Sequence, residues 1–177
     1  MKIWDNEYPD GTEYAHFYAT YVEQIEKTNI INTLNNQMHE VFTLINSVPG
    51  DKAYFKYAPD KWTLKEILGH MIETERVFSY RAFAISRGDT QPLPGMDQNE
   101  YMKGNNYNKR SLANLCNEYL AVRVSTIHLL SSMTKEMIGR KGIASGVEVT
   151  VRALAFIIAG HDKHHFEIIK EKYLTES

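Results

Sequence analysis

His161 and His165 stand four residues apart in a stretch that otherwise carries Leu154, Ile157, Ile158 and Ile168 at helical spacing. Residues four apart on a helix lie one turn above the other. Both imidazoles therefore fall on the apolar stripe, where Leu or Ile is expected, and turn toward the interior. Burying polar groups is costly unless they are satisfied. A divalent metal ion is one way to satisfy two imidazoles together, and hydrogen bonding in an apo core is another. A third ligand would separate the two readings.

The run His161-Asp162-Lys163-His164-His165 superficially matches the zincin motif His-Glu-x-x-His. It fails as one. Asp is a methylene shorter than the base that chemistry needs, and the zincin's third ligand comes from downstream, where only twelve residues remain. The third ligand must come from upstream, and His70 is the best placed. It sits one turn after Ile67 and Glu66 and follows Gly69, just as His161 follows Gly160. Small residues at those positions would let helices approach closely. Three imidazoles leave coordination positions open for water or substrate, the arrangement of a catalytic rather than a structural ion. His164 lies off the stripe and is assigned to the rim. His16, His39 and His128 read as ordinary structural or surface residues.

Around this triad, Glu73 lies one turn beyond His70. It reads equally as an acceptor behind the ligands, a fourth ligand or a base, and as a solvated partner of Arg76. Glu75, Arg81, Glu118 and Arg123 lie near apolar faces and read as a structural ion-pair network. Trp62 is expected to pack beneath the start of the His70 helix, and Cys116 to be a small core residue.

Four amphipathic helices are needed to hold these side chains. The spacing predicts them near 29–47, 63–87, 111–133 and 150–173. The first carries Ile30, Ile31, Leu34, Met38, Val41, Phe42 and Ile45 on one side. The second opens on Thr63-Leu64-Lys65-Glu66, a capping box, and Gly88 stops it. The third steps through Leu112, Leu115, Tyr119, Val122, Thr126, Leu129 and Met133. The fourth bears the histidines, with Thr150 as its cap. A shorter lead-in helix is expected over 14–26. The connection 88–108 reads as a long functional loop, and 139–149 as a loop or small hairpin. The fold class is all-α: a four-helix bundle with long crossover loops, one domain over 1–177.

Composition sets the remaining bounds. The chain has 177 residues, 43% of them hydrophobic, and a net charge of −2. No basic footprint argues for nucleic acid. Cys116 is alone, so no disulfide framework exists within the chain. No apolar run reaches a membrane span, and no signal peptide is evident. A cytoplasmic location is expected. Aromatics Phe17, Tyr18 and Tyr21 suggest an exposed patch and a homodimer.

The sequence resembles the DinB-like family of metal-binding four-helix bundles, which includes the bacillithiol- and mycothiol-dependent transferases. The resemblance rests on Lys61-Trp62-Thr63, Gly69-His70, Glu75-Arg76, Tyr80-Arg81, Leu93-Pro94-Gly95, Glu118, Arg123, Gly160-His161-Asp162-Lys163-His164-His165 and Lys172-Tyr173-Leu174. It implies a metal triad of His70, His161 and His165, and thiol transfer or isomerisation as the activity. The expected ion is zinc or nickel, though three imidazoles also suit copper or iron. A low-molecular-weight thiol is the implied co-reactant and a small molecule the substrate. The alternatives are a metal-dependent hydrolase using a metal-bound water, and a non-catalytic binding module stapled by its ion. Free imidazole titrates near pH 6.5, so metal binding is expected to weaken below that.

Overall fold

Each of the four long helices begins where a short polar side chain caps it. In the computed structural model, which describes residues 3–174, a 3-10 turn over His16–Tyr18 runs into α1, Ala19–Val22. The lead-in helix expected over 14–26 is thus much shorter. Helix α2, Ile30–Ser47, starts on Asn29, whose side chain accepts from the Ile31 and Asn32 amides. Helix α3, Leu64–Ser86, starts on the Thr63 capping box, with both reciprocal bonds formed. It closes at Gly88, whose φ of +86° is the left-handed conformation that favours glycine.

The connection after α3 is not structureless. It holds α4, Gln98–Lys103, and a 3-10 turn at Tyr107–Lys109. The signal for α4 is the Asp97 cap, which accepts from the Asn99 and Glu100 amides; a six-residue helix is too short to show apolar periodicity. Helix α5, Leu112–Ser131, follows, then α6, Lys135–Gly139. The 139–149 connection is a hairpin: β1, Lys141–Ala144, pairs antiparallel with β2, Val147–Thr150. Ser145 and Gly146 turn it with positive φ. Helix α7, Val151–Ile168, continues as a π turn over Ile169–Tyr173.

Helices α2, α3, α5 and α7 form a four-helix bundle. α2 packs on α5 and α7, and so does α3, which places α2 diagonal to α3. The connections from α2 to α3 and from α5 to α7 each cross a diagonal, whereas the longest, 87–111, joins the neighbours α3 and α5. Ile30, Leu34, Leu68, Ile72, Tyr119, Leu154, Ile157 and Ile158 fill the interior. Each fully buried side chain of this kind contributes about 1.5–3 kcal/mol. Phe42, expected on the apolar side of α2, is 44% exposed instead. Among the described residues, no helix is long and apolar enough to cross a membrane.

One guanidinium joins all four helices. Arg123 of α5 is fully buried and grips both Glu75 oxygens of α3, through Nε at 2.9 and 3.0 Å and Nη2 at 2.8 Å. Its Nη2 lies 3.2 Å from Asp162 of α7, and its Nη1 donates to Leu34 and Gln37 of α2. Tyr119 donates to Asp162 as well. The expected ion-pair network thus contains Glu75 and Arg123, but not Glu118, which pairs with Arg76 and Arg110, nor Arg81. Asp162 joins it unforeseen. Removing one partner from such a buried set leaves an uncompensated charge.

Of the two glycines beside the histidines, Gly160 lets a helix approach closely as expected, while Gly69 makes room for a ring. A Cβ on Gly160 would come within 2.1 Å of the Tyr21 carbonyl oxygen, so Gly160 lets α1 lie against α7. A Cβ on Gly69 would strike the Tyr107 ring. Neither brings α3 and α7 together.

Candidate metal centre

His70 projects from α3, and His161 and His165 from successive turns of α7. All three are buried, at 2%, 6% and 9% exposure. Their ligand nitrogens all lie within 4.8 Å of one another. The Nε2 atoms of His70 and His161 are 3.0 Å apart, and those of His161 and His165 are 3.1 Å apart. Three nitrogens around one zinc at about 2.0–2.1 Å, at tetrahedral angles, would lie about 3.3 Å apart.

Hydrogen bonding alone does not serve this arrangement. His161 Nε2 stands in both short contacts, and an imidazole nitrogen carries either one proton or one lone pair. It cannot make a good bond to each neighbour. His165 Nδ1 is also buried without a partner among the described residues. A divalent ion among the three Nε2 atoms would use all three lone pairs at once, so the residues fit one.

The electrostatics agree. Burial holds the His70 imidazole down to about 4, with the nearby His164 adding to the effect. Burial and the neighbouring imidazoles push His161 and His165 well below the usual histidine range. All three are therefore neutral at pH 7, the form a metal requires. His70 Nδ1 lies 3.5 Å from the Thr74 hydroxyl, and the Trp62 ring packs 4.8 Å from the His70 ring.

The other candidates fall outside this cluster. His164 is half-buried at its edge, while His16, His39 and His128 are exposed. Glu73 turns toward Tyr107, which donates to one of its oxygens at 2.5 Å; the other is buried with no partner among the described residues. Burial and Glu73 together push the Tyr107 hydroxyl well up. Among the described residues, no carboxylate or thiol joins the three histidines. Burial lifts the Asp162 carboxyl to about 6, against the pull of Arg123. Cys116 is buried, as expected of a core residue.

Two cavities reach the triad. One, about 220 Å³, touches His70 and His161 and is walled by Tyr18, Tyr21, Phe78 and Arg81. The other, about 260 Å³, touches His165 and is walled by Lys61, Trp62, Asn99 and Tyr173. The segment carrying Met96 and Gln98 faces the first and Asn99 the second, so the 88–108 connection borders both. A larger cleft, about 700 Å³, lies between α2 and α7 and does not include the triad. Tyr18, expected to be exposed, is 8% exposed and belongs to the core.

Sequence reasoning missed Trp62 as a neighbour of His70, Thr74 beside its ring, and Arg81 in the cavity. A signal for the last two exists: His70, Thr74, Phe78 and Arg81 follow at spacings of four, four and three, one stripe of α3.

A family model described as the DinB superfamily matches residues 33–169. Among solved structures, the chain is similar to YfiT from Bacillus subtilis, described as a probable metal-dependent hydrolase with an unusual four-helix bundle topology. The TM-score is 0.71 at 15% identity, over 94% of this chain and 95% of that one, a likeness of fold. No curated protein matches the sequence.

Proposed function

This chain belongs to the DinB superfamily, and we propose that it is a divalent-metal-dependent enzyme of the thiol S-transferase type, acting on small molecules. We read its length, 1–177, as one domain in the cytoplasm. His70, His161 and His165 are the proposed ligands, with zinc or nickel the expected ion and a low-molecular-weight thiol the co-reactant. The observation that carries the reading is the convergence of three buried, neutral imidazoles through Nε2, with no fourth protein ligand among the described residues. Such an ion supplies a Lewis acid that acidifies a bound water or thiol.

The protein's own residues prepare that chemistry. Burial keeps the ligands unprotonated. Thr74 and Trp62 bracket the His70 ring and limit its rotation. Arg123 ties the α7 turn that carries Asp162 to α3, fixing His161 opposite His70. Transfer needs room for two reactants, and the two cavities offer it, one at His70 and His161 and the other at His165.

A hydrolase is the second reading, and the likeness to YfiT favours it. The test is elemental analysis of tag-free protein, then thiol-consumption and esterase assays with the identified metal. Metal-dependent consumption of thiol and electrophile together supports transfer. Ester cleavage independent of thiol would replace it with hydrolysis, and neither activity in the loaded protein would leave a binding module.

A further inference from the structure

Arg81 is an anomaly of burial. Its side chain is on α3, three turns beyond His70, and is 2% exposed. A guanidinium stays protonated at any physiological pH. No ion pair of the described residues includes it. Its Nη2 donates to the Pro94 carbonyl and the Ser145 hydroxyl, both at 2.8 Å, and its plane lies over the Phe78 ring at 5.2 Å. Its Nε is buried with no hydrogen-bond partner among the described residues. Arg123, equally buried, contrasts with it by holding Glu75 and Asp162. A buried cation without an anion is costly to keep. It is kept here in the wall of the cavity that opens onto His70 and His161.

The cavity specifies the rest of the ligand. At about 220 Å³ it is smaller than the roughly 300–1,000 Å³ of drug-sized sites. Phe17, Tyr18, Tyr21 and Phe78 supply flat apolar walls. Aromatic walls favour a flat ring stacked or set edge-on between them. We propose that this cavity takes a small aromatic carboxylate, its anion held by the Arg81 guanidinium and its opposite end turned toward His70 and His161. Only the role of that opposite end rests on reading the triad as a metal centre; the anion site stands without it. Arg81 also ties the segment at Pro94 to the hairpin at Ser145, so it couples the bound anion to the wall that borders both cavities.

The experiment is a ligand-observed NMR titration of the chelator-stripped full chain with benzoate and, separately, with benzamide, its neutral isostere. Benzoate should bind roughly tenfold or more tighter, the discrimination a charged hydrogen bond supplies. Arg81→Gln should abolish the preference, and Arg81→Lys should keep part of it. The wild-type comparison needs no variant, so it decides even if Arg81→Gln fails to fold. Equal affinities, no benzoate binding, or a preference that survives in folded Arg81→Gln would each overturn the proposal. Benzoate binding that appears only after metal is restored would also overturn it, placing the carboxylate on the ion. A chain that retains no ion yet still prefers benzoate would remove the metal reading and uphold this one.

Discussion

Replacing His70 with glutamine should flatten part of the acid loss of stability in the metal-free protein. Burial, with His164 adding to it, holds the His70 imidazole down to about 4, against about 6.5 in an unfolded chain. Below about pH 6.5 the unfolded chain takes up a proton that the folded one does not. Stability is therefore complete above that value, falls through the window, and levels off near the folded value. Between about pH 7.5 and about pH 5 this one group should cost the fold about 2 kcal/mol. His161 and His165 are displaced the same way by burial and steepen the slope. Asp162 works against them: its carboxyl, lifted by burial to about 6, is protonated in the fold before it is in the unfolded chain, which adds stability as pH falls. The whole-protein slope is thus a balance, and the difference between wild type and His70→Gln isolates one imidazole. Urea unfolding in a chelating buffer, followed by the fluorescence of Trp4 and Trp62, measures it at both pH values. Wild type should lose about 2 kcal/mol more than the variant. Equal losses would refute the reasoning, because an imidazole that titrates alike in both states is not buried and neutral.

Metal affinity should hold down to about pH 5 rather than fading from 6.5, since the imidazoles stay neutral in the fold; a titration calorimetry series in which affinity collapses at pH 6 would contradict this. His164→Ala should leave metal binding near wild type, whereas His165→Ala should abolish it in the same measurement. Gly160→Ala forces a Cβ into the Tyr21 backbone and should destabilise by about 1–3 kcal/mol or more, read as a lower urea midpoint; an unchanged midpoint would mean α1 is free to move away. Arg123→Met leaves Glu75 and Asp162 buried without their cation and should cost about 3–5 kcal/mol, checked by the same unfolding curves.

The four helices were legible because each carries an apolar stripe and a polar cap, Thr63 and Thr150 among them. His161 and His165 were legible because they interrupt such a stripe. His70 was found by elimination, through its place beside Ile67 on α3. Phe42 and Tyr18 were misjudged because periodicity marks a face without saying what covers it. The N-terminal segment buries Tyr18 against Phe78, a contact between residues far apart in sequence. Asp162 was hidden for a related reason: an acidic residue reads as solvated until Arg123 and Tyr119 arrive from another helix. Arg81 reads as an ion-pair member because a sequence displays its charge but not that no described carboxylate reaches it. The roles of Gly69 and Gly160 depend on Tyr107 and on the Tyr21 backbone, neither of which spacing within one helix can place.

The central claim is that three imidazole nitrogens hold one divalent ion. Tag-free protein, stripped with chelator, re-equilibrated with zinc and freed of excess, should retain one ion per chain by plasma mass spectrometry, and His161→Ala treated alike should retain none. Equal retention in the two, or none in the wild type, would contradict the account.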